Sequence, residues 1–439
     1  MLICCSIRWD KMLTYNPLPI LARGLVAAFA AVSLLLLAWA IGWGPGGSHV
    51  NILWGIQPSA ATKYLVIIAV SLLLVYRKPY IQEFALSSDK YAKRHFLAML
   101  MKAITLIIIV MAFQILCLKD MGPGVVITLS SVILYCLLRE DVPFTILWTG
   151  LFAAALIVAQ KIGGTYTWAL ATIIWLIMWW AVSRFSKGKV SESTVLIATI
   201  VIAILFSGSI FERIPGLEEQ AARMSTRVES HQDPFDNRSG SDQLARSIWA
   251  MTEGFTGNPG NTMVNTLPAA HTDFIYPSVV SGFGAVGGII LLVLLFAFVV
   301  EGFRSATCAK NEALFFILAG ITITVSVQGL FILGGCTNLL ILSGLPIPFV
   351  SYGSTHLILD LMAAGLLIGS NNRDYAELSF TKQRSIIKQY GVGIVSLIIL
   401  CGFLLACVAA VTVRYSICQK DDILVKPALV SSPDGDTYR

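Results

Sequence analysis

Leu267-Pro-Ala-Ala-His-Thr-Asp-Phe-Ile-Tyr276 closes the chain's one long polar loop and runs without a break into an apolar stretch at 275–300. An apolar run of that length can cross a bilayer as a helix. His271 and Asp273 therefore stand where water, headgroups and hydrocarbon meet. A carboxylate in that position is only partly solvated, so its pKa tends upward, as a general base requires. Asp is also a preferred helix N-cap, and on local grounds both roles, cap and base, are open for Asp273.

The same apolar pattern recurs along the chain. Of 439 residues, 56% are hydrophobic and 13% charged, with a mean hydropathy of +0.77. Soluble domains carry about a quarter charged residues, so the composition predicts an all-α polytopic membrane protein. Runs of sufficient length fall at roughly 22–43, 61–76, 96–118, 122–138, 142–160, 164–183, 192–212, 275–300, 312–334, 347–370 and 389–414. We expect about 10–11 transmembrane helices in a single integral membrane domain, 1–439, with one large extracytoplasmic loop, 213–274. Met1 to Pro19 lacks an apolar core followed by a small-residue cleavage site, so the first run is expected to be both insertion signal and span. The tail 415–439, mixed in charge and polar at its end, reads as disordered.

Lys and Arg set the orientation. With the N-terminus in the cytoplasm, the inside segments hold Arg8, Lys11, Arg23, Arg77, Lys78, Lys90, Lys93, Arg94, Arg139, Arg184, Lys187, Lys189, Arg304, Lys310, Arg373, Lys382, Arg384 and Lys388. The short outside loops hold only Lys63, Lys119 and Lys161. That imbalance places loop 213–274 outside the cell. The net charge of +6 then reflects topology, with no nucleic acid implied as a partner. Nine scattered cysteines form no CxxC pair, so neither a metal cluster nor a disulfide framework is expected. No Gly-rich phosphate loop precedes a helix.

Polar residues are costly in hydrocarbon and therefore informative. Lys63 enters apolar sequence after Gln57-Pro-Ser; it either snorkels to the interface or faces a cavity, where it would suit a phosphate-bearing lipid headgroup. Lys119-Asp-Met-Gly-Pro-Gly124 reads as a turn. In the large loop, Asp242 to Met251 has helical spacing and includes Arg246. Arg223 and Arg227, four apart, would share a helix face and suit phosphate or a salt bridge with Glu219. In Gly344-Leu-Pro-Ile-Pro-Phe-Val-Ser-Tyr-Gly353, two prolines forbid regular helix. Irregular backbone at membrane depth is tolerated only when buried in protein or lining a cavity. Ser351, Tyr352 and His356 could supply hydrogen bonds there, and Asp360 is a further costly residue in an apolar run.

These stretches resemble the SEDS proteins of bacterial cell elongation, division and sporulation. Gly344 to Gly353 looks like that family's signature before its last common span, and Pro268 to Tyr276 like the end of its extracytoplasmic loop. Gln57-Pro-Ser with Lys63, Asp120-Met-Gly122, Asp233-Pro234 and Arg246-Ser-Ile-Trp-Ala250 follow the family's pattern, in order, over a core of about 50–372. Helix 389–414 is extra. The chain departs from the pattern at Ala60, where a Glu normally follows Gln-Pro-Ser, at Ser281-Gly282, where Glu-Glu is usual, and at Ser354-Thr355-His356.

The resemblance implies a peptidoglycan glycosyltransferase in the bacterial plasma (inner) membrane that polymerises lipid II into glycan strands, with Asp273 on the family's essential carboxylate. It implies Lys63, Arg223, Arg246, His271, Ser351 and Tyr352 as substrate-binding candidates. A divalent cation (Mg or Mn) or basic residues would stabilise the leaving pyrophosphate, and a class B penicillin-binding protein would be the partner, in a setting of membrane lipids. A flippase of lipid-linked saccharide and a non-catalytic scaffold are the alternative expectations.

Overall fold

The computed structural model describes residues 57–86, 121–139, 218–232, 234, 242–252, 257, 267, 269–309 and 311–371. Among the described residues, seven helices and no strand are present: α1 (Pro58–Leu86), α2 (Met121–Arg139), α3 (Glu218–Gln232), α4 (Asp242–Ala250), α5 (Ile275–Thr307), α6 (Glu312–Cys336) and α7 (Ser354–Asn371). The chain is an all-α membrane protein. Helices α5 and α6 are each long and apolar enough to cross a bilayer. The runs expected at 22–43, 96–118, 142–160, 164–183, 192–212 and 389–414 lie outside the described residues, as does the tail 415–439.

Helix α6 is the axis of the bundle. It is apolar all round and buried for nearly its whole length, as a helix surrounded by others must be. Its N-terminus is fixed by Asn311, whose side chain accepts from the Ala313 N–H at 3.1 Å, and by Glu312 in the first turn. The buried hydroxyls of Thr322, Thr324 and Ser326 donate to carbonyls one turn back, at 2.8, 2.7 and 2.6 Å. No polar group is thereby turned toward hydrocarbon. α5, α1 and α2 pack around this axis, and α7 closes the bundle against α1 and α5.

Small residues let the helices approach closely. A Cβ at Gly320 of α6 would fall 2.8 Å from Ile67 of α1 and 3.0 Å from Leu134 of α2. We therefore expect Gly320→Leu to push α6 off both neighbours and cost about 1–3 kcal/mol by overpacking. Thermal unfolding in detergent reads this directly, and an unchanged midpoint would contradict the packing described.

Helix α5 is different. It has 33 residues, about 50 Å at 1.5 Å per residue, longer than the ~30 Å hydrocarbon layer. It bends where Gly284 takes φ +69°, ψ −169°, a conformation open to glycine alone. Phe283, Val286, Ile289, Ile290, Val293 and Leu294 lie exposed along it, while the opposite side, with Leu291, Leu292, Leu295 and Val299, is buried. A stripe of large apolar side chains facing outward fits lipid as the surrounding solvent.

Three sequence expectations are corrected. The run expected at 347–370 is helical only from Ser354, because 341–353 is irregular, with Phe349 at φ +67°. Gly122 and Pro123, read as a turn, lie in the first turn of α2, where proline is tolerated. The short second run is in fact the 29-residue α1. The helix expected across Asp242 to Met251 is found as α4, and Arg223 and Arg227 do lie on one helix, α3.

Candidate active site

The residues before α5 form a tight turn. Ala269 sits at φ +54°, and its carbonyl accepts the N–H groups of Thr272 (3.0 Å) and Phe274 (3.2 Å). This turn carries the chain to Phe274, which is the N-cap of α5 and makes no side-chain cap hydrogen bond. The capping reading of Asp273 is therefore wrong. Its carboxylate lies one residue too early, and it is left for other partners.

Those partners come from two distant segments. Residues 341–353 fold back over the turn, and α3 docks on this segment and on Asn338 just before it. His231 Nδ1 lies 2.8 Å from Asn338 Oδ1, and Arg227 Nη1 donates to the Ser343 carbonyl at 3.2 Å. Gly344, at φ +66°, lies beside both the Arg227 guanidinium and the Asp273 carboxylate. A Cβ there would lie 3.3 Å from Arg227 Nη2 and 3.5 Å from Asp273 Oδ2. Burial raises the pKa of Asp273 above the usual carboxylate range. The nearby Arg227 charge, His271 and a Thr272 hydrogen bond each pull it partly back. A half-buried carboxylate held proton-hungry beside a cation is what a general base needs.

The turn and the proline segment are bonded directly. Ser351 Oγ donates to the Thr272 carbonyl at 2.7 Å and accepts from the Ile347 N–H at 2.7 Å. The Tyr352 N–H donates to the His271 carbonyl at 2.8 Å. The rings of His271 and Tyr352 meet edge to face at 5.7 Å, and Tyr352 is 75% exposed. Both stand at the open rim beside Asp273, and Ser351 is a buried brace.

The other motifs converge on this loop and on the first turn of α7. Gly122 lies against it: a Cβ there would fall 2.8 Å from Leu345 Cδ2. The Gln57 N–H donates to Thr355 Oγ1 at 3.0 Å, and Gln57 Oε1 lies 3.1 Å from His356 Nε2. Lys63 is where the structure departs most from expectation. It is 1% exposed, so it neither snorkels nor offers its amine to a headgroup. Its Nζ donates to Gln328 Oε1 at 2.5 Å and lies 3.7 Å from Asp360 Oδ1. Lys63 thus faces a carboxylate contributed by α7, across the bundle.

Arg246 is half-buried on α4, whose neighbouring Ser247 donates to the Cys336 carbonyl at 3.3 Å. The Arg223 side chain lies outside the described residues, and Arg227 is the arginine found beside Asp273. Gln328 and Tyr64 were missed from the sequence, though a lone Gln in an apolar run was a usable signal. Among the described residues, no group of three or more His, Cys, Asp or Glu side chains could hold a metal ion.

With this geometry in hand, comparison with known proteins is informative. The family model described as "Cell cycle protein", FtsW/RodA/SpoVE, matches residues 136–374, more than half of the chain. The chain is 28% identical over 258 residues to the probable peptidoglycan glycosyltransferase FtsW of Enterococcus hirae, covering 57% of this chain and 63% of that protein. It is 27% identical over 201 residues to the peptidoglycan glycosyltransferase RodA of Mycobacterium tuberculosis, covering 45% and 40%. It is 29% identical over 191 residues to the stage V sporulation protein E of Bacillus subtilis, covering 40% and 52%. In each case the match spans less than two thirds of the relative's length. In fold, the chain resembles a component of a peptidoglycan synthase complex with a TM-score of 0.51 at 20% identity, covering 85% of this chain and 87% of that one. Sequence, helices and matched region agree: the chain belongs to the FtsW/RodA/SpoVE family of cell cycle proteins, the SEDS family.

Proposed function

We propose that the chain is a peptidoglycan glycosyltransferase of the bacterial plasma membrane that polymerises lipid II, with Asp273 as general base. The observation that carries this reading is a desolvated Asp273 carboxylate under the influence of the Arg227 charge, both groups lying beside Gly344 next to a spanning helix. The N-terminus lies in the cytoplasm and loop 213–274 outside, as the basic residues direct. Lipid II would then present its sugars at the level of the turn. Asp273 takes the proton from an acceptor sugar hydroxyl. That oxygen attacks the anomeric carbon of a second sugar, and the bond to undecaprenyl pyrophosphate breaks. The departing pyrophosphate is anionic, and Arg227, a planar multidentate donor, is the cation placed to meet it. His271 and Tyr352 form the exposed rim on which a sugar can rest.

The names borne by the relatives support the same chemistry. The related peptidoglycan synthase complex, which joins polymerization to crosslinking, is consistent with a crosslinking partner, for which the family resemblance suggests a class B penicillin-binding protein. The test is direct. Purified full-length chain, given lipid II alone, is expected to yield glycan polymer on a gel. Headgroup translocation into liposomes with no polymer would replace this reading with a transporter.

Gly344 offers an independent check. A β-branched side chain at φ +66° is strained and would enter the space between Arg227 and Asp273. Gly344→Val is expected to lower turnover by about 10²-fold, the usual scale for displacing a catalytic group by about 1 Å. Wild-type rates from this variant would show that the contact over Gly344 is irrelevant to the chemistry.

A further inference from the structure

The buried polar cluster of α1, α6 and α7 has no part in the chemistry so far, yet it is the most expensive feature of the bundle. Lys63 and Asp360 are each 1% exposed, and two charges in such surroundings are retained only with partners. Asp360 has three. Its Oδ1 accepts from Tyr64 Oη at 2.5 Å and faces Lys63 Nζ, and its Oδ2 accepts the N–H of Phe349 at 3.3 Å. Lys63 in turn holds Gln328, whose Nε2 donates to the Pro346 carbonyl at 2.6 Å. The cluster therefore grips the proline segment at two backbone atoms, the Pro346 oxygen and the Phe349 nitrogen.

Phe349 is the strained residue of that segment. A non-glycine residue at φ +67° persists only where its surroundings over-determine it. Packing of its ring on Phe298, centroids 4.7 Å apart, supplies one constraint, and the Asp360 carboxylate supplies the other. Immediately beyond it, Ser351 and Tyr352 bond the carbonyls of Thr272 and His271. An unbroken chain of contacts thus leads from Asp360, inside the bundle, to His271 and Thr272, the two residues immediately before Asp273.

We propose that Asp360 is a positioning residue for Asp273: by fixing the backbone at Phe349 it sets the proline segment, and through it the turn that aims the catalytic carboxylate. Lys63 is the counter-ion that allows Asp360 to be there. This rests on the reading of Asp273 as the base, and two readouts separate the ideas.

The decisive variants remove both charges together, so that neither is left unpaired. In Lys63→Met/Asp360→Leu the Phe349 N–H loses its acceptor. In Lys63→Met/Asp360→Asn the side-chain oxygen remains. Hydrogen exchange of the full-length protein in detergent should show amides of 347–352 and 270–274 exchanging at least ~10-fold faster in the Met/Leu variant, with α6 unchanged. The Met/Asn variant should stay near wild type. In lipid II polymerisation, kcat of the Met/Leu variant should fall by about 10- to 100-fold with KM within about threefold, the signature of lost orientation. Met/Asn should restore kcat to within a few-fold.

Exchange in the Met/Leu variant equal to wild type would overturn the proposal. So would loosened exchange with an unchanged kcat, equal loss in both double variants, or global unfolding of the Met/Leu protein, since the role assigned is local. If the wild-type chain makes no polymer, the function proposed above fails, while the exchange comparison still decides whether Asp360 sets the turn.

Discussion

Asp273→Asn is expected to lower lipid II polymerisation by about 10²–10⁴-fold, the range spanned by loss of a general base, while leaving the protein at least as stable as wild type. The two halves of that expectation have one cause. Burial raises the pKa of Asp273 and outweighs the opposing pull of Arg227 and His271. For a carboxylate whose folded pKa exceeds its unfolded one, ionisation costs stability. The penalty is absent below the unfolded pKa, grows as pH rises, and is complete above the folded pKa. At neutral pH the wild type bears it, and the neutral, isosteric Asn does not. Activity and thermal midpoint should therefore move independently, the rate down and the midpoint level or up. A variant that loses both would mark Asp273 as a structural residue. One that keeps its activity would remove it from the mechanism.

Arg227→Gln is the second large effect. A general base works only when ionised, so the rate should rise with pH through the pKa of Asp273, with the acid limb above the usual carboxylate range. Arg227 is the strongest of the influences that lower that pKa. Replacing it with a neutral side chain removes the favourable charge, so the limb should move to higher pH. The plateau should also fall by about 10- to 100-fold, as the loss of a hydrogen bond to a charged group, about 1.5–3 kcal/mol, implies. Rates of wild type and variant across the acid range provide the measurement. A limb that stays put, or moves to lower pH, would show that Arg227 does not act on Asp273.

What could be read from sequence follows from what hydrocarbon penalises. Asp273, Lys63, Asp360 and the Pro346–Pro348 pair stand out because each is expensive in an apolar chain. The structure joins Lys63 and Asp360 to the proline segment, which in turn bonds the turn that carries Asp273. Their partners were not legible. Lys63 pairs with Asp360 and Arg227 with the Ser343 carbonyl, contacts made only by tertiary packing. Choosing Arg227 over Arg223 needed the docking of α3, fixed by His231 and Asn338. The cap reading of Asp273 failed for a local reason that composition hides. Ala269 adopts a left-handed conformation and winds the turn one residue further, so that Phe274 takes the cap position. Ser351 was expected to offer its hydroxyl to a ligand, and the backbone claims both its donor and its acceptor roles.

The ion pair between α1 and α7 also imposes a schedule on biogenesis. Tyr64 and Asp360 are 296 positions apart, so at roughly 5–20 residues per second the ribosome needs on the order of 15–60 seconds to deliver the carboxylate after Lys63 has emerged. During that interval the lysine lacks the carboxylate it faces in the fold, and a lone charge is costly in hydrocarbon. A chain that stops short of α7 lacks the carboxylate that Lys63 faces in the fold.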